Sequence, residues 1–268
     1  QNPTSDGFDV AIKVFKRIQE FRGRGEYIDG DSRYSRQSFH KLDQRQQIEV
    51  WTEKEYRNLV RANNAGVPVP TPLSCKKNVL FMRFLGEDGW PALQLREIGG
   101  GGGGGSGLVR KGSGKWTELY CQVLVAIKRL YWCAHLVHGD ISEYNILVCP
   151  MSLVENAFEG GGRRRRRGGG ALGLEKDSLS IIGEEKETKE EKDGLQAVLI
   201  DFGQAVERRH PSAHTYLCRD LRLIREFFVK QGISTLSIDE SEQFIVREQS
   251  GDDSDGDDDD SDDDDDDD

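Results

Sequence analysis

Residues 136–148 read LVHGDISEYNILV, a polar loop running into a short apolar strand. The loop carries His138, Gly139 and Asp140, and Asn145 follows the Asp by five residues. A second stretch, LIDFG at 199–203, ends a buried-strand pattern on Asp201, 61 residues beyond Asp140. Two carboxylates and an amide, each placed where a strand meets a loop, suit the transfer of a γ-phosphoryl group. That reaction asks a protein for positioning and charge neutralisation more than for covalent help. Asp140 can accept or orient the proton of an incoming hydroxyl. Asn145 and Asp201 offer the hard oxygens that Mg²⁺ prefers.

A third element fits the same chemistry. VAIKVF at 10–15 reads as a strand of branched residues with Lys13 in its middle. A Lys on such a strand can hold the α- and β-phosphates, fixed by an ion pair to a Glu on the next helix. Glu55 is the expected partner because Leu59, one turn on, would pack inward on the same face; Glu53 is the alternative. VLFMRF at 79–84 reads as a second buried strand passing the adenine site. Backbone groups of Arg83 and Leu85 are expected at the base edge, with Met82 gating the deeper pocket.

The rest of the chain frames these elements. Apolar spacing predicts helices over 51–63, 116–136 and 212–229, and a short last helix over 238–246. Pro68, Pro70 and Pro72 predict an extended linker. Ala197–Ile200 reads as a strand. Residues 17–45 are highly charged and read as a mobile or helical basic segment. The expected division is a partial upper lobe over 1–83, a connection with a Gly tract over 84–114, and a lower lobe over 115–149 and 195–247. A low-complexity insert over 150–194 and an acidic tail over 248–268 are expected to be disordered.

The formal net charge of the 268 residues is −11, but 14 Asp lie between Asp252 and Asp268. Setting those aside leaves 34 acids against 37 Lys and Arg, so the body is mildly basic. Such a body suits phosphate-rich ligands. The tail reads either as a solvated solubility segment or as a nucleic-acid mimic for basic partners. Five scattered Cys, without a CxxC pair or a His cluster, argue for free thiols in a reducing compartment and against a zinc site. No apolar run approaches the roughly 20 residues that cross a bilayer, so no membrane partner is expected. The expected location is cytoplasmic, with shuttling to the nucleus.

Whole phrases then carry a resemblance. AIKVFK at 11–16, WTEKEYRNLVRANNAGVPVPTP at 51–72, LVHGDISEYNILV at 136–148 and LIDFGQAVERRHPSA at 199–213, followed by a Cys-Arg-Asp-Leu helix, resemble the RIO family of atypical serine/threonine protein kinases. The likeness is to its first subfamily. It implies an α+β, two-lobed protein-kinase-like fold with a truncated lower lobe. It implies ATP with Mg²⁺, or Mn²⁺ in its place, bound through Lys13, with Asp140 catalytic and Asn145 and Asp201 holding the metal. It also implies autophosphorylation on serine, with Ser32, Ser35 and Ser38 in the basic segment available, and a transient aspartyl phosphate at Asp201. The implied partners are a protein substrate or the chain itself, and the pre-ribosomal small-subunit particle with its protein and rRNA.

About 45 residues separate Gly203 from the acidic tail and no Ala-Pro-Glu follows, which leaves no room for an ordinary kinase's activation segment and peptide-binding helices. The family's phosphate loop should precede Lys13 by some 20–30 residues, so the upper lobe is expected to be incomplete and the chain to start partway through a longer protein. Phe202-Gly203 replaces the family's smaller pair. The insert must loop out between neighbouring strands, and Arg163–Arg167 within it reads either as a contact for RNA phosphates or as low-complexity filler. Two other functions use similar residues. One is a small-molecule phosphotransferase of the aminoglycoside or choline kinase type. The other is a non-catalytic assembly factor that uses nucleotide as a clamp.

Overall fold

The computed structural model describes residues 9–16, 27–28, 39, 41–99, 106–156 and 194–247. Ser32, Ser35 and Ser38, the Arg163–Arg167 run, most of the insert and the Asp-rich tail lie outside them.

Strand β1 (Val10–Val14) alternates as its sequence demands, with Val10, Ile12 and Val14 exposed and Ala11 and Lys13 turned inward. It pairs antiparallel with β3 (Val79–Arg83), Lys13 opposite Leu80, and β2 (Pro72–Lys76) pairs with the other edge of β3. The prolines thus lead into an edge strand rather than a plain linker. Pro72 opens that strand, where the missing N–H costs no ladder bond.

Helix α1 (Gln44–Asn64) starts seven residues before its apolar periodicity begins. Its start is set by Asp43, whose carboxylate accepts from the Gln46 N–H while the Gln46 side chain accepts from the Asp43 N–H. Trp51, Glu55, Leu59 and Ala62 form its buried stripe.

Past two short strands, β4 (Gly86–Glu87) and β5 (Trp90–Pro91), the chain enters the lower lobe at β6 (Leu93–Gln94). The ends of the Gly tract are drawn together, with Ser106 N–H donating to Glu97 and Val109 N–H to Ile98. Helix α2 (Gly114–Trp132) is the lobe's axis. Its Trp116 is fully buried against Phe227 and Phe228, edge to face. The periodicity had extended this helix to 136. It stops at Trp132 because His135 takes a left-handed φ of 53°, and Leu136–Val137 instead forms β7.

β8 (Ile146–Pro150) pairs antiparallel with β6 and with β9 (Leu195–Leu199), so the insert does leave between adjacent strands. The open edge of β9 is covered by buried Gln122 of α2, which donates to Leu195 O and accepts from Ala197 N–H. After a 3₁₀ turn at Phe202–Gln204, β10 (Val206–Glu207) pairs with β7. Helices α3 (Ala213–Lys230) and α4 (Ile238–Val246) close the lobe, α4 packing on both α2 and α3. One core runs from Leu59 and Ala62 of α1 to Ile245 of α4, so the two lobes share their apolar interior. All five cysteines are free thiols, as anticipated. No described helix is long and apolar enough to cross a membrane.

Candidate active site

Lys13 reaches from β1 to the anticipated Glu55 and also to Asp201. Its Nζ lies 2.7 and 3.0 Å from the two Glu55 carboxylate oxygens and 3.0 Å from Asp201 Oδ1. Burial alone would lower the ammonium. The charges of Glu55 and Asp201 outweigh it and raise the ammonium above its usual range. Glu53 faces away and pairs with Arg57 at 2.6 Å, so of the two candidates Glu55 is the partner. Burial pushes Glu55 up to about 7, against the pull of Lys13.

Asp201 sits at the end of β9 with φ 66°, a left-handed conformation that Asp tolerates better than most residues and that recurs at functional sites. Burial would raise its carboxyl. The charge and hydrogen bond of Lys13, with smaller help from His138 and the Gly203 N–H, outweigh that and hold it below the usual carboxylate range. The carboxylate is thus ionised at neutral pH, as a cation ligand must be.

Asn145 ties the two halves together. Its amide donates to the Asp140 carbonyl at 2.8 Å and to the Asp140 carboxylate at 3.2 Å. Its backbone carbonyl accepts from the Ile200 N–H, next to Asp201. With the NH₂ committed to Asp140, the amide oxygen remains as a hard donor atom. The catalytic-loop backbone is gripped from below. Asp220 of α3 accepts from Gly139 N–H at 2.8 Å and Ile141 N–H at 3.2 Å, and Arg219 donates to the Gly139 carbonyl. Gly139 is required there, with φ 74° and the Gln204 carbonyl 3.1 Å from where a Cβ would sit.

Known proteins place the chain in a family. A family model described as the RIO domain covers residues 2–154 and 191–241. The chain belongs to the RIO family. Among its relatives, human serine/threonine-protein kinase RIO1 is 30% identical over 243 residues, covering 90% of this chain and 33% of that protein. Human serine/threonine-protein kinase RIO3 is 33% identical over 226 residues, covering 84% and 33%. This chain therefore spans about a third of the length of the curated relatives it matches. The solved Rio2 kinase–ADP/Mg²⁺–phosphoaspartate complex from Chaetomium thermophilum aligns with a TM-score of 0.52 at 21% identity, covering 91% of this chain and 57% of that one. The α+β kinase-like fold anticipated from the sequence is the fold observed.

Within the RIO domain, the connection between lobes departs from a simple hinge. Met82 packs on the main core, opposite Ala11 of β1. The Arg83 side chain pairs with Glu155, and its N–H is already engaged by the Thr71 carbonyl. Leu85 is buried against Cys149, Val154 and Val198, and its carbonyl accepts from Ala92 N–H.

Three residues of the RIO site had no assigned role in the sequence reading. Asp220 was visible only as part of the Cys-Arg-Asp-Leu phrase. Lys54 and Asn58 carried no motif, and both are fully buried. Lys54 Nζ donates to the carbonyls of Gly203 and Ala205 at 3.0 and 2.6 Å, and Asn58 Nδ2 to those of Phe202 and Ala205 at 3.2 and 3.0 Å. Their i,i+4 spacing was the one available signal. A Cβ at Gly203 would crowd Trp51 Nε1 at 3.0 Å and Glu55 Oε2 at 3.2 Å, so both side chains would have to shift.

His138 lies fully buried beneath Asp201, its Nε2 3.1 Å from the Ile200 carbonyl and its ring 4.7 Å from Phe202. Burial holds the imidazole down at about 4 from an ordinary 6.5, although Asp201 and the Ile200 carbonyl pull upward. The unfolded chain therefore takes up a proton below 6.5 that the folded chain refuses until about 4. The stability His138 confers is complete above 6.5 and is lost as pH falls towards 4, roughly 3 kcal/mol in all. Glu55 and Asp220, both pushed up to about 7 by burial, act in the opposite sense, since their contribution is lost as pH rises to 7. The His term is isolated by comparing urea melts of wild type and His138→Asn at pH 7.5 and 4.5. The stability gap between them is expected to narrow by roughly 3 kcal/mol at the lower pH; parallel curves would contradict the assignment.

Proposed function

We propose that this RIO domain supports an ATP- and Mg²⁺-dependent serine/threonine kinase or ATPase. The observation that carries this reading is the Lys13–Glu55–Asp201 cluster beside the Asn145-bridged Asp140. A hard-oxygen donor set with an ionised carboxylate suits Mg²⁺, and an adjacent ammonium suits a polyphosphate. Asp201 and the Asn145 amide oxygen would hold the metal, which supplies charge neutralisation for the phosphates. Lys13 binds phosphate oxygens while Glu55 keeps its ammonium in place. Asp140, oriented by the Asn145 amide, receives the proton of the acceptor hydroxyl. The Arg83 carbonyl and the Leu85 N–H are the groups proposed to meet the adenine edge, with Met82 behind them.

The finer reading rests on kinship. The relatives are named as serine/threonine-protein kinases, and the Rio2 complex is described as holding a phosphoaspartate. By analogy, Asp201 would take up a transient phosphoryl group and serine residues would be autophosphorylated. The setting would be small-subunit pre-ribosome maturation in the cytoplasm.

The test uses the full-length protein with γ-labelled ATP and Mg²⁺, compared with Asp140→Asn. Label on protein, reduced about 100-fold or more in the variant, supports the reading, since a positioned base contributes of that order. Label on an amino sugar or choline in place of protein would favour a small-molecule phosphotransferase. Nucleotide binding with neither label transfer nor hydrolysis would leave a non-catalytic clamp.

A further inference from the structure

We propose that His214, Cys218 and Glu242 form a binding site for a zinc-class transition metal that fastens α4 to α3, independent of the phosphoryl-transfer centre. His214 and Cys218 stand four apart on α3 and so share one face. Glu242 comes from α4. Among the described residues this is the one group of three such side chains whose ligand atoms all lie within 4.8 Å of one another.

The three ligand atoms lie within 4.8 Å of one another, near the spacings of a tetrahedral ion, with the two Glu242 oxygens divided between Cys218 and His214. Bonds of about 2.0 Å to nitrogen or oxygen and 2.3 Å to thiolate put sulfur about 3.5 Å from either neighbour and nitrogen about 3.3 Å from oxygen. Cys218 Sγ lies 3.7 Å from His214 Nε2 and 3.6 Å from Glu242 Oε2. His214 Nε2 and Glu242 Oε1, now hydrogen-bonded at 2.8 Å, part by about half an ångström, and the carboxylate turns so that one oxygen faces both His214 and Cys218, to reach that spacing. A thiolate and a carboxylate neutralise a dication, and a neutral imidazole completes three ligands. Arg222 and Asp239, the other charges acting on the thiol, are of opposite sign.

The donor set selects the metal. Sulfur with imidazole suits Zn²⁺ and is a poor match for Mg²⁺ or Ca²⁺. His214 is 71% exposed at its side chain, so the fourth position opens to water. The sequence pattern disfavoured zinc because no CxxC pair is present. A His-x-x-x-Cys turn completed by a Glu from the next helix escapes that pattern. Cys218 directly precedes Arg219 and Asp220, whose side chains grip the Gly139 backbone. A metal here would stiffen the segment that anchors the catalytic loop.

Cobalt(II) titration of the full chain tests this without reference to activity. One equivalent is expected to give a thiolate-to-metal absorption in the near ultraviolet that Zn²⁺ displaces. Cys218→Ser should abolish the band, and Cys121→Ser should leave it intact. His214→Ala, at a position exposed enough to fold normally, should weaken cobalt binding by at least the roughly 10–100-fold that loss of an outer partner alone costs. Zn²⁺ should also raise the melting temperature of wild type and not of Cys218→Ser. The Asp-rich tail binds cations through oxygen and gives no sulfur band. Absence of the band in wild type, or its persistence in Cys218→Ser, overturns the proposal.

Discussion

Replacing Asp201 by Asn in the full-length protein is expected to lower phosphoryl transfer from ATP by about 10³-fold or more, with little change in folding. Asn keeps the shape of the side chain and tolerates the left-handed backbone that Asp201 adopts at φ 66°. What disappears is the negative charge. Lys13 loses one of its two carboxylate partners but keeps Glu55 at 2.7 Å, so the strand and helix remain joined. The proposed cation site loses its ionised ligand, and charge neutralisation of the phosphates goes with it. Labelled-ATP turnover beside a thermal melt separates the two effects. Turnover within a few-fold of wild type would remove Asp201 from the metal site. A collapsed melt would make it a structural residue instead.

The second large effect is expected at Asp220. Its carboxylate accepts the Gly139 and Ile141 N–H groups on either side of Asp140. Asp220→Ala strands both donors in a buried setting, at about 1–3 kcal/mol each. Since a whole domain is stable by about 5–15 kcal/mol, a marked drop in the urea midpoint follows. Asp140 also loses its fixed backbone, so kcat should fall by more than KM rises. Asp220→Asn should land between, because an amide oxygen can still accept one N–H while its NH₂ opposes the other. A wild-type urea midpoint in Asp220→Ala, with unchanged kcat, would sink the positioning role.

Legibility from sequence followed the local character of each signal. Lys13, Asp140, Asn145 and Asp201 stand out because each lies in a short fixed phrase, Lys13 within a strand and the other three in loops beside strands. Glu55 was separable from Glu53 because helical periodicity put it on the face of Leu59. Lys54 was not, since a charged side chain on an amphipathic helix ordinarily faces water. Only the three-dimensional approach of the Phe202–Gln204 turn supplies the carbonyls that justify burying it. The helix over 116–136 was overextended because Ala134 and Leu136 keep the apolar rhythm, and apolar spacing does not register a left-handed residue such as His135. The first two turns of α1 were missed for the opposite reason. They are mostly Gln and charged residues, with Ile48 and Val50 as their only apolar side chains, and their marker was the Asp43–Gln46 cap. The human RIO1 and RIO3 relatives, 30% and 33% identical, show the family and do not single out the first subfamily that the phrases resemble.

The anchoring of α1 through Lys54 and Asn58 bears on how such a catalyst can be switched. In many phosphotransferases the equivalent helix swings outward, separating the phosphate-binding Lys from its Glu and silencing the enzyme. Here that swing would have to tear four side-chain bonds from the Phe202–Ala205 backbone. At a net cost on the order of 5 kcal/mol, about one molecule in a few thousand would occupy the swung-out form. Inhibitors that trap a displaced helix would therefore find almost nothing to trap. Under the proposed function, a block at the cleft mouth would not have to break these bonds.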